Sequence, residues 1–172
     1  RQRYGVSEDT PAVVFVGRMN DQKRPWLFLD LAKQARLEGR DVQFIMVGQG
    51  PLQDEVASRI ASEDLTNVIR ILNVPKIEEL YSVCDMLVIV SEYEGLPLSM
   101  LEAMSVGLPI FSTDVGEISP VLREHTGMEG LKATALEASM DVASRFAGET
   151  IAAEYDSCFK RAIDSLKPQR GY

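Results

Sequence analysis

Apolar and polar positions follow one another along this chain in the order expected of alternating buried strands and amphipathic helices. Runs composed mainly of apolar residues, typical of strands buried on both faces, predict strands at residues 12–16, 42–47, 68–72, 86–90 and 109–112. Apolar positions at helical spacing predict helices between these strands, at residues 25–37, 52–61, 77–83 and 98–106.

Short connections between five such strands imply a parallel sheet with helices on both faces, which is an α/β Rossmann-like fold. Beyond Val115 the pattern is weaker; it predicts a short helix at 118–124, an edge strand at 130–132 and closing helices at 136–146 and 149–166. Because neither a repeat nor an internal linker interrupts the 172 residues, we expect a single domain over residues 1–172.

The composition excludes several classes of partner. A formal net charge of −8 argues against nucleic acid, which requires a basic surface, and means that locally placed cations must hold any anionic ligand. The two cysteines, Cys84 and Cys158, lack metal-ligand spacing, so we expect no metal site and a packed rather than reactive Cys84. Neither a signal-peptide pattern nor a bilayer-spanning apolar run is present, which favours a reducing, cytoplasmic location.

Loops with cations or glycines follow the first two predicted strands, at the edge where α/β sheets bind ligands. After the first strand, Gly17 offers a backbone amide, and Arg18 and Lys23 offer cations suited to phosphate oxygens. After the second strand, Gly48 opens a turn with little side-chain bulk. Each loop alone is also explained as solvated surface or as a tight turn, and only their convergence favours a site.

The loops after the third and fourth strands add groups suited to a nucleotide. Asn73 and Val74 present backbone groups that can pair with a base edge, and the fourth strand is followed by Glu94 and Glu102. A helical Glu102 side chain leans toward the start of its helix, so its carboxylate approaches the loop of Glu94. The alternative is a surface glutamate near a helix N-terminus, but apolar neighbours such as Leu98 predict a largely buried helix. Two acids beside an anion-attracting helix end suit a ligand with both phosphates and hydroxyls.

In this combination the chain resembles the nucleotide-sugar-binding half of retaining glycosyltransferases with the GT-B fold, specifically family four. The resemblance spans roughly residues 13–121, and four motifs in the family's order carry it. They are the Gly-Arg…Lys loop at Gly17, Arg18 and Lys23, the Val-Gly-x-Gly-Pro turn at 47–51, the glutamates separated by seven residues at Glu94 and Glu102, and the Gly-x-Pro element at 107–109.

The resemblance implies a role for each of these groups. Arg18 and Lys23 would be catalytic, because they neutralise the diphosphate that leaves as the glycosidic bond breaks. Glu94, the third implied catalytic residue, would face the sugar hydroxyls, and Glu102 would accept hydrogen bonds from the ribose. The resemblance also implies a base site near Asn73 and amide donors at the start of the helix that holds Glu102. The other implied donor-binding positions are Gly17, Gly48, Asn73, Val74, Gly95, Leu96, Leu98 and Ser99.

The resemblance also implies that the enzyme needs no metal or other cofactor, since the nucleotide diphosphate sugar is its donor substrate. A GT-B enzyme has a second, amino-terminal domain that holds the acceptor, and we expect that domain to be absent from this chain. The chain alone is then expected to bind donor but to transfer sugar poorly or not at all. Because acceptors in the family are often lipid-linked, peripheral association of the full protein with the cytoplasmic membrane face stays open.

Two other functions stay open at this point. The first is a different enzyme on the same fold, a sugar-nucleotide epimerase or a phosphorylase, although a single histidine makes epimerase acid–base chemistry harder to provide. The second is a non-catalytic nucleotide-sugar-binding or scaffold module. A receiver-type signalling domain is excluded, because the first strand is not followed by the acids that it requires.

Overall fold

The computed structural model of the protein describes residues 1–124. The edge strand predicted at 130–132, the helices predicted at 136–146 and 149–166, and Cys158 lie outside the described residues.

Strands and helices alternate along residues 1–124, as the apolar pattern predicts. The strands are β1 Ala12–Val16, β2 Gln43–Val47, β3 Val68–Ile71, β4 Met86–Ile89 and β5 Ile110–Ser112. The helices are α1 Pro25–Leu37, α2 Gln53–Ser62, α3 Ile77–Tyr81, α4 Leu98–Ser105 and α5 Ile118–Glu124, with short 3-10 helices at Gln2–Tyr4 and Asp21–Lys23. Observed and predicted ends differ by at most two residues, which is the ordinary uncertainty of helix and strand boundaries.

The five strands of the described region form one parallel sheet in the order β3-β2-β1-β4-β5. The order reverses direction after β3, because β4 pairs with the free side of β1 rather than continuing outward. In open α/β sheets such a switch point leaves a crevice at the carboxyl ends of the strands. The predicted α/β Rossmann-like fold is therefore confirmed, and its crevice lies beside the loops that follow β1 and β4.

The core consists of two apolar clusters, one on each face of the sheet. Along β1, Val13 and Phe15 point into one cluster, and Ala12 and Val14 point into the other. In the first cluster Phe28 of α1 packs between two strand phenylalanines, with its ring centroid 5.5 Å from that of Phe15. Each fully buried phenylalanine contributes about 2–3 kcal/mol of hydrophobic stabilisation. Burial on both faces explains why the strands are mainly apolar rather than alternating.

Within the described residues, no helix combines the length and the apolar run needed to cross a bilayer.

Cys84 lies in the second cluster and is 9% exposed, which confirms the prediction of a packed cysteine. Burial, with a smaller contribution from the negative charge of Asp85, raises the pKa of the Cys84 thiol to about 12. The thiol therefore stays protonated in the folded protein at neutral pH, which makes it a poor nucleophile.

This buried thiol predicts a measurable pH dependence of stability. The unfolded chain releases the thiol proton near its ordinary pKa of 9.0, whereas the folded protein keeps it until about 12. The stabilisation is therefore fully present below about pH 9 and is lost as the pH rises toward about 12, with a slope of up to about 1.4 kcal/mol per pH unit. Urea unfolding of the protein and of Cys84→Ala at about pH 8 and about pH 10.5 should show a shallower loss in the variant. An equal loss of unfolding free energy in both proteins between these two pH values would contradict the raised pKa of Cys84.

Candidate functional site

Glycines bring the backbones after β1 and β2 into direct contact. A side chain on Gly48, whose φ is +130°, would place its Cβ 2.1 Å from the carbonyl oxygen of Gly17. The Gly17 amide donates to the carbonyl of Val47 at 3.0 Å, and the Met19 amide donates to the carbonyl of Gln49 at 3.0 Å. The expectation that Gly17 offers its amide to a phosphate is therefore wrong, because the bond to Val47 extends the pairing of β1 with β2 and uses that N–H. Because Gly48 has no side chain, the loops after β1 and β2 can lie side by side at the switch point.

A cavity of about 440 Å³ opens at this edge of the sheet, between the loops after β1, β2 and β3 and the helix α4. Six of the residues predicted to bind donor line it: Gly17, Arg18, Gly48, Asn73, Val74 and Glu102. The volume lies within the range of about 300–1,000 Å³ that is usual for small-molecule sites.

Arg18 and Glu102 place opposite charges on this cavity. Both residues are solvent-exposed, and Arg18 makes no ion pair with any other residue in the described part of the chain. Its five guanidinium N–H donors are therefore available to an incoming anion.

The prediction that the helix holding Glu102 is largely buried is wrong. Leu98 is 73% exposed and Leu101 is 38% exposed, because α4 buries only Met100 and Ala103. The single buried stripe leaves Glu102 on the open side of the helix. Its carboxylate is consequently accessible to a ligand.

Lys23 and Glu94 form an ion pair with each other beside the cavity. The Lys23 ammonium donates to a carboxylate oxygen of Glu94, whose side chain is only 7% exposed, while that of Lys23 is 20% exposed. The aliphatic part of Lys23 lies over Gly17, where an added Cβ would sit 3.4 Å from the lysine Cδ. The side chain of Asn20 accepts from the Lys23 amide at 3.1 Å and fixes the loop that carries the lysine.

The loops after β1 and β4 are also joined through their backbones. The Glu92 amide donates to the carbonyl of Gln22 at 2.8 Å, and the Gln22 side-chain amide donates to the carbonyl of Tyr93 at 3.0 Å. These bonds hold the segment before Glu94 against the segment before Lys23. The ion pair thus joins two loops that backbone hydrogen bonds already hold together, and it does not depend on two mobile surface side chains.

The structure divides the predicted site residues into two neighbouring groups. The cavity group consists of the six residues given above, and the second group lies outside that cavity on the loops after β1 and β4 and on α4. The second group is Lys23, Glu94, Gly95, Leu96, Leu98 and Ser99. No side chain caps the amino end of α4, so the amides of Leu98 and Ser99 are not bonded to a capping group.

Several cavity residues escape prediction from the sequence. They are Val16, Val47, Gln49, Leu72, Pro75, Ile77 and Glu78. The first five lie at or within four residues of the carboxyl end of a strand, so a rule that included every position there would have found them, whereas Ile77 and Glu78 open α3. Glu78 is the one charged member of this set, and its place in the first turn of α3 is equally explained by helix preference.

A second polar cavity of about 360 Å³ lies at the opposite edge, at the amino ends of β1 and β2, with Thr10, Arg36, Arg40 and Asn67 among its lining residues. None of the predicted site residues lies there. Among the described residues, no group of three or more His, Cys, Asp or Glu side chains is placed to hold a metal ion.

Gly116, in the loop after β5, fixes the backbone of the Glu94 loop. Its φ is +59°, and an added Cβ would lie 1.9 Å from the carbonyl oxygen of Glu94. The following Glu117 amide donates to the carbonyl of Gly95 at 3.1 Å. The loops after β1 and β5 therefore both hold the loop that carries Glu94 in place.

We expect Gly116→Ala to destabilise the protein by more than about 2 kcal/mol, because left-handed backbone strain adds to a clash with backbone. Gly95→Ala is the matched control, since nothing lies within 4 Å of its added Cβ and its φ is not positive. We expect that control to stay within about 0.5 kcal/mol of the unmodified protein. Urea unfolding measures both changes, and equal losses would show that the close approach at Gly116 is not what fixes the loop.

Comparison with known proteins agrees with the family that the loops indicate. The model of the family described as glycosyl transferases group 1 matches residues 1–138. The alpha-D-kanosaminyltransferase of Streptomyces kanamyceticus is 29% identical over 129 residues, which cover 73% of this chain and 33% of that protein. The lipopolysaccharide core biosynthesis mannosyltransferase LpsB of Rhizobium meliloti is 36% identical over 151 residues, which cover 79% of this chain and 42% of that protein.

The matched residues thus cover less than half the length of each of these two curated relatives. Among solved structures, Anabaena HepE in complex with UDP has the same fold, with a TM-score of 0.63 at 23% sequence identity over 96% of this chain and 48% of that one. The match to the family model covers more than half of the residues. The chain therefore belongs to the group 1 glycosyl transferases.

Proposed function

We propose that this chain binds a nucleoside diphosphate sugar at the carboxyl edge of its sheet and is the donor-binding domain of a retaining glycosyltransferase. The observation that carries the proposal is the shared cavity. In it Arg18, from the loop after β1, and Glu102, from α4, lie with the backbones of Gly17 and Gly48. A diphosphate requires cations and amide donors, and a ribose requires an acceptor of hydroxyl hydrogen bonds. The cavity offers the Arg18 guanidinium and the Glu102 carboxylate within one volume of suitable size, and the uncapped start of α4 lies beside it.

Each contact in this proposal has a physical reason. The Arg18 fork takes two phosphate oxygens, and Glu102 accepts from the ribose hydroxyls. The diphosphate can approach the backbone at Gly17 without steric hindrance because that residue has no side chain. The base extends toward Asn73 and Val74, where the cavity continues between β2 and β3. In a protein of net charge −8 these local cations are what makes binding of a dianion favourable.

The ion pair of Lys23 and Glu94 suits the transfer step. An arriving diphosphate competes with Glu94 for the Lys23 ammonium, and the lysine then neutralises the charge that grows on the leaving phosphate as the glycosidic bond breaks. Glu94, released from the lysine, accepts hydrogen bonds from the sugar hydroxyls. The uncapped amides of Leu98 and Ser99 add donors to the phosphates at the start of α4.

The acceptor side of the reaction is proposed from the relatives. One relative is named for the lipopolysaccharide core and another for an aminosugar, so we propose transfer to a glycan or lipid-linked acceptor. The acceptor is held by an amino-terminal partner domain, and the enzyme works in the cytoplasm, with lipid acceptors bringing it to the membrane face. Neither metal nor cofactor takes part.

Calorimetric titration of the 172-residue chain with UDP, GDP and ADP tests donor binding. We expect saturable heat with at least one of them, at a dissociation constant below about 1 mM, and a weaker response in the Glu102→Ala variant. Absence of heat with all three at about 5 mM would contradict the proposal and favour a scaffold role.

A further inference from the structure

Tyr81 ends α3 with its side chain packed beneath α4. It is 1% exposed and is one of the largest fully buried side chains in the described region. Its hydroxyl donates to the carbonyl of Ser99 in the first turn of α4 at 3.4 Å, which is long for an O–H donor. A buried hydroxyl normally has a well-formed partner, so the long bond leaves this donor incompletely used.

Glu102 lies three residues after Ser99, on the same face of α4. In an α-helix the side chain at this spacing leans back over the carbonyl three residues before it, so the Glu102 carboxylate can reach the Tyr81 hydroxyl as a second acceptor. Burial, followed by the negative charge of Glu102, raises the pKa of Tyr81 well above its ordinary value of 10.0. The hydroxyl therefore stays protonated at neutral pH, where it can donate a hydrogen bond.

We propose that Tyr81 is a positioning residue for Glu102: its hydroxyl holds one carboxylate oxygen from below, so that the other faces the ribose hydroxyls in the cavity. This inference rests on the proposed function. Glu102 is exposed and its side chain has several rotatable bonds, so ordering it on binding costs free energy that a rigid donor removes in advance. Tyr81 is suited to that task because it is itself immobilised by the core.

The proposal predicts a loss that depends on the ribose hydroxyls. With the nucleoside diphosphate that gives the largest heat among UDP, GDP and ADP, we expect Tyr81→Phe to weaken binding about 5- to 10-fold. With the 2′,3′-dideoxy form of the same diphosphate we expect a change of less than about twofold, because the carboxylate then has no hydroxyl to meet. In the Glu102→Ala background the Tyr81→Phe change should have no further effect on either ligand.

Tyr4→Phe is the matched control, since it removes a hydroxyl from a tyrosine before the amino end of β1 and should leave both affinities unchanged. Equal weakening of ribose and dideoxy ligands by Tyr81→Phe, or a full effect without Glu102, would mean that Tyr81 only supports the packing of α4. Unchanged binding would likewise overturn the inference while the proposed function stands. If the unmodified chain binds none of the three diphosphates, the proposed function and this inference both fail.

Discussion

Replacing Lys23 by methionine is expected to lower the rate of sugar transfer about 100- to 1,000-fold in an enzyme that joins this domain to its acceptor domain. The lysine is the cation that the account assigns to the leaving phosphate, and methionine retains the packing over Gly17 without the charge. The same change leaves the carboxylate of Glu94, 7% exposed, without its cation. We therefore also expect a loss of about 2 kcal/mol in the free energy of unfolding.

A double variant separates the two consequences of the Lys23 change. In Lys23→Met with Glu94→Gln, a neutral amide replaces the stranded carboxylate, so most of the lost stability should return while transfer stays low. Urea unfolding and initial rates of transfer measure the two properties. Lys33→Met is the control, because it removes a lysine from a more exposed pair with Glu63 and should change stability by less than about 1 kcal/mol. Recovery of transfer in the double variant would show that Lys23 only balances Glu94.

Replacing Arg18 by alanine is expected to weaken binding of a nucleoside diphosphate about 10- to 100-fold, since charge-assisted hydrogen bonds contribute about 1.5–3 kcal/mol. Arg18 is exposed and makes no ion pair within residues 1–124, so the free energy of unfolding should not change. Arg18→Lys keeps the charge but not the planar fork, and we expect an intermediate affinity.

Lys76→Ala controls for charge alone. Lys76 adjoins Pro75 in the cavity wall, but it pairs with Glu79 at 3.3 Å and does not itself line the cavity. If affinity depends on contact, calorimetry should show a large effect of Arg18→Ala and less than a twofold effect of Lys76→Ala at moderate salt. Similar losses of affinity in both variants would mean that Arg18 acts only through the overall electrostatic field of the protein.

The sheet was predictable because β1, β2, β4 and β5 are largely buried on both faces, so that runs such as Ala12–Val16 contain no polar residue. The position of the site followed from topology, since loops after parallel strands meet at one edge. That rule placed Arg18, Asn73 and Glu102 together although they are far apart in the chain. It does not determine which side chains line one cavity and which lie beside it.

Features that depend on side-chain packing were not predictable from the pattern. The burial of α4 was predicted wrongly because an apolar residue of a helix is buried only where another element covers it. Leu98 is apolar but exposed. The ion pair between Lys23 and Glu94 arises from backbone bonds between two loops, through Gln22, that no spacing reveals. The contact of Gly116 with the carbonyl of Glu94 likewise follows from the φ of one glycine.

The most direct test of the account is a crystal structure of the chain with a bound nucleoside diphosphate, collected with whichever of UDP, GDP or ADP gives saturable heat. We predict phosphate oxygens about 3 Å from the Arg18 guanidinium, with the ribose hydroxyls bonded to Glu102. A diphosphate seated instead in the cavity of Arg36 and Arg40 at the opposite edge of the sheet would contradict it.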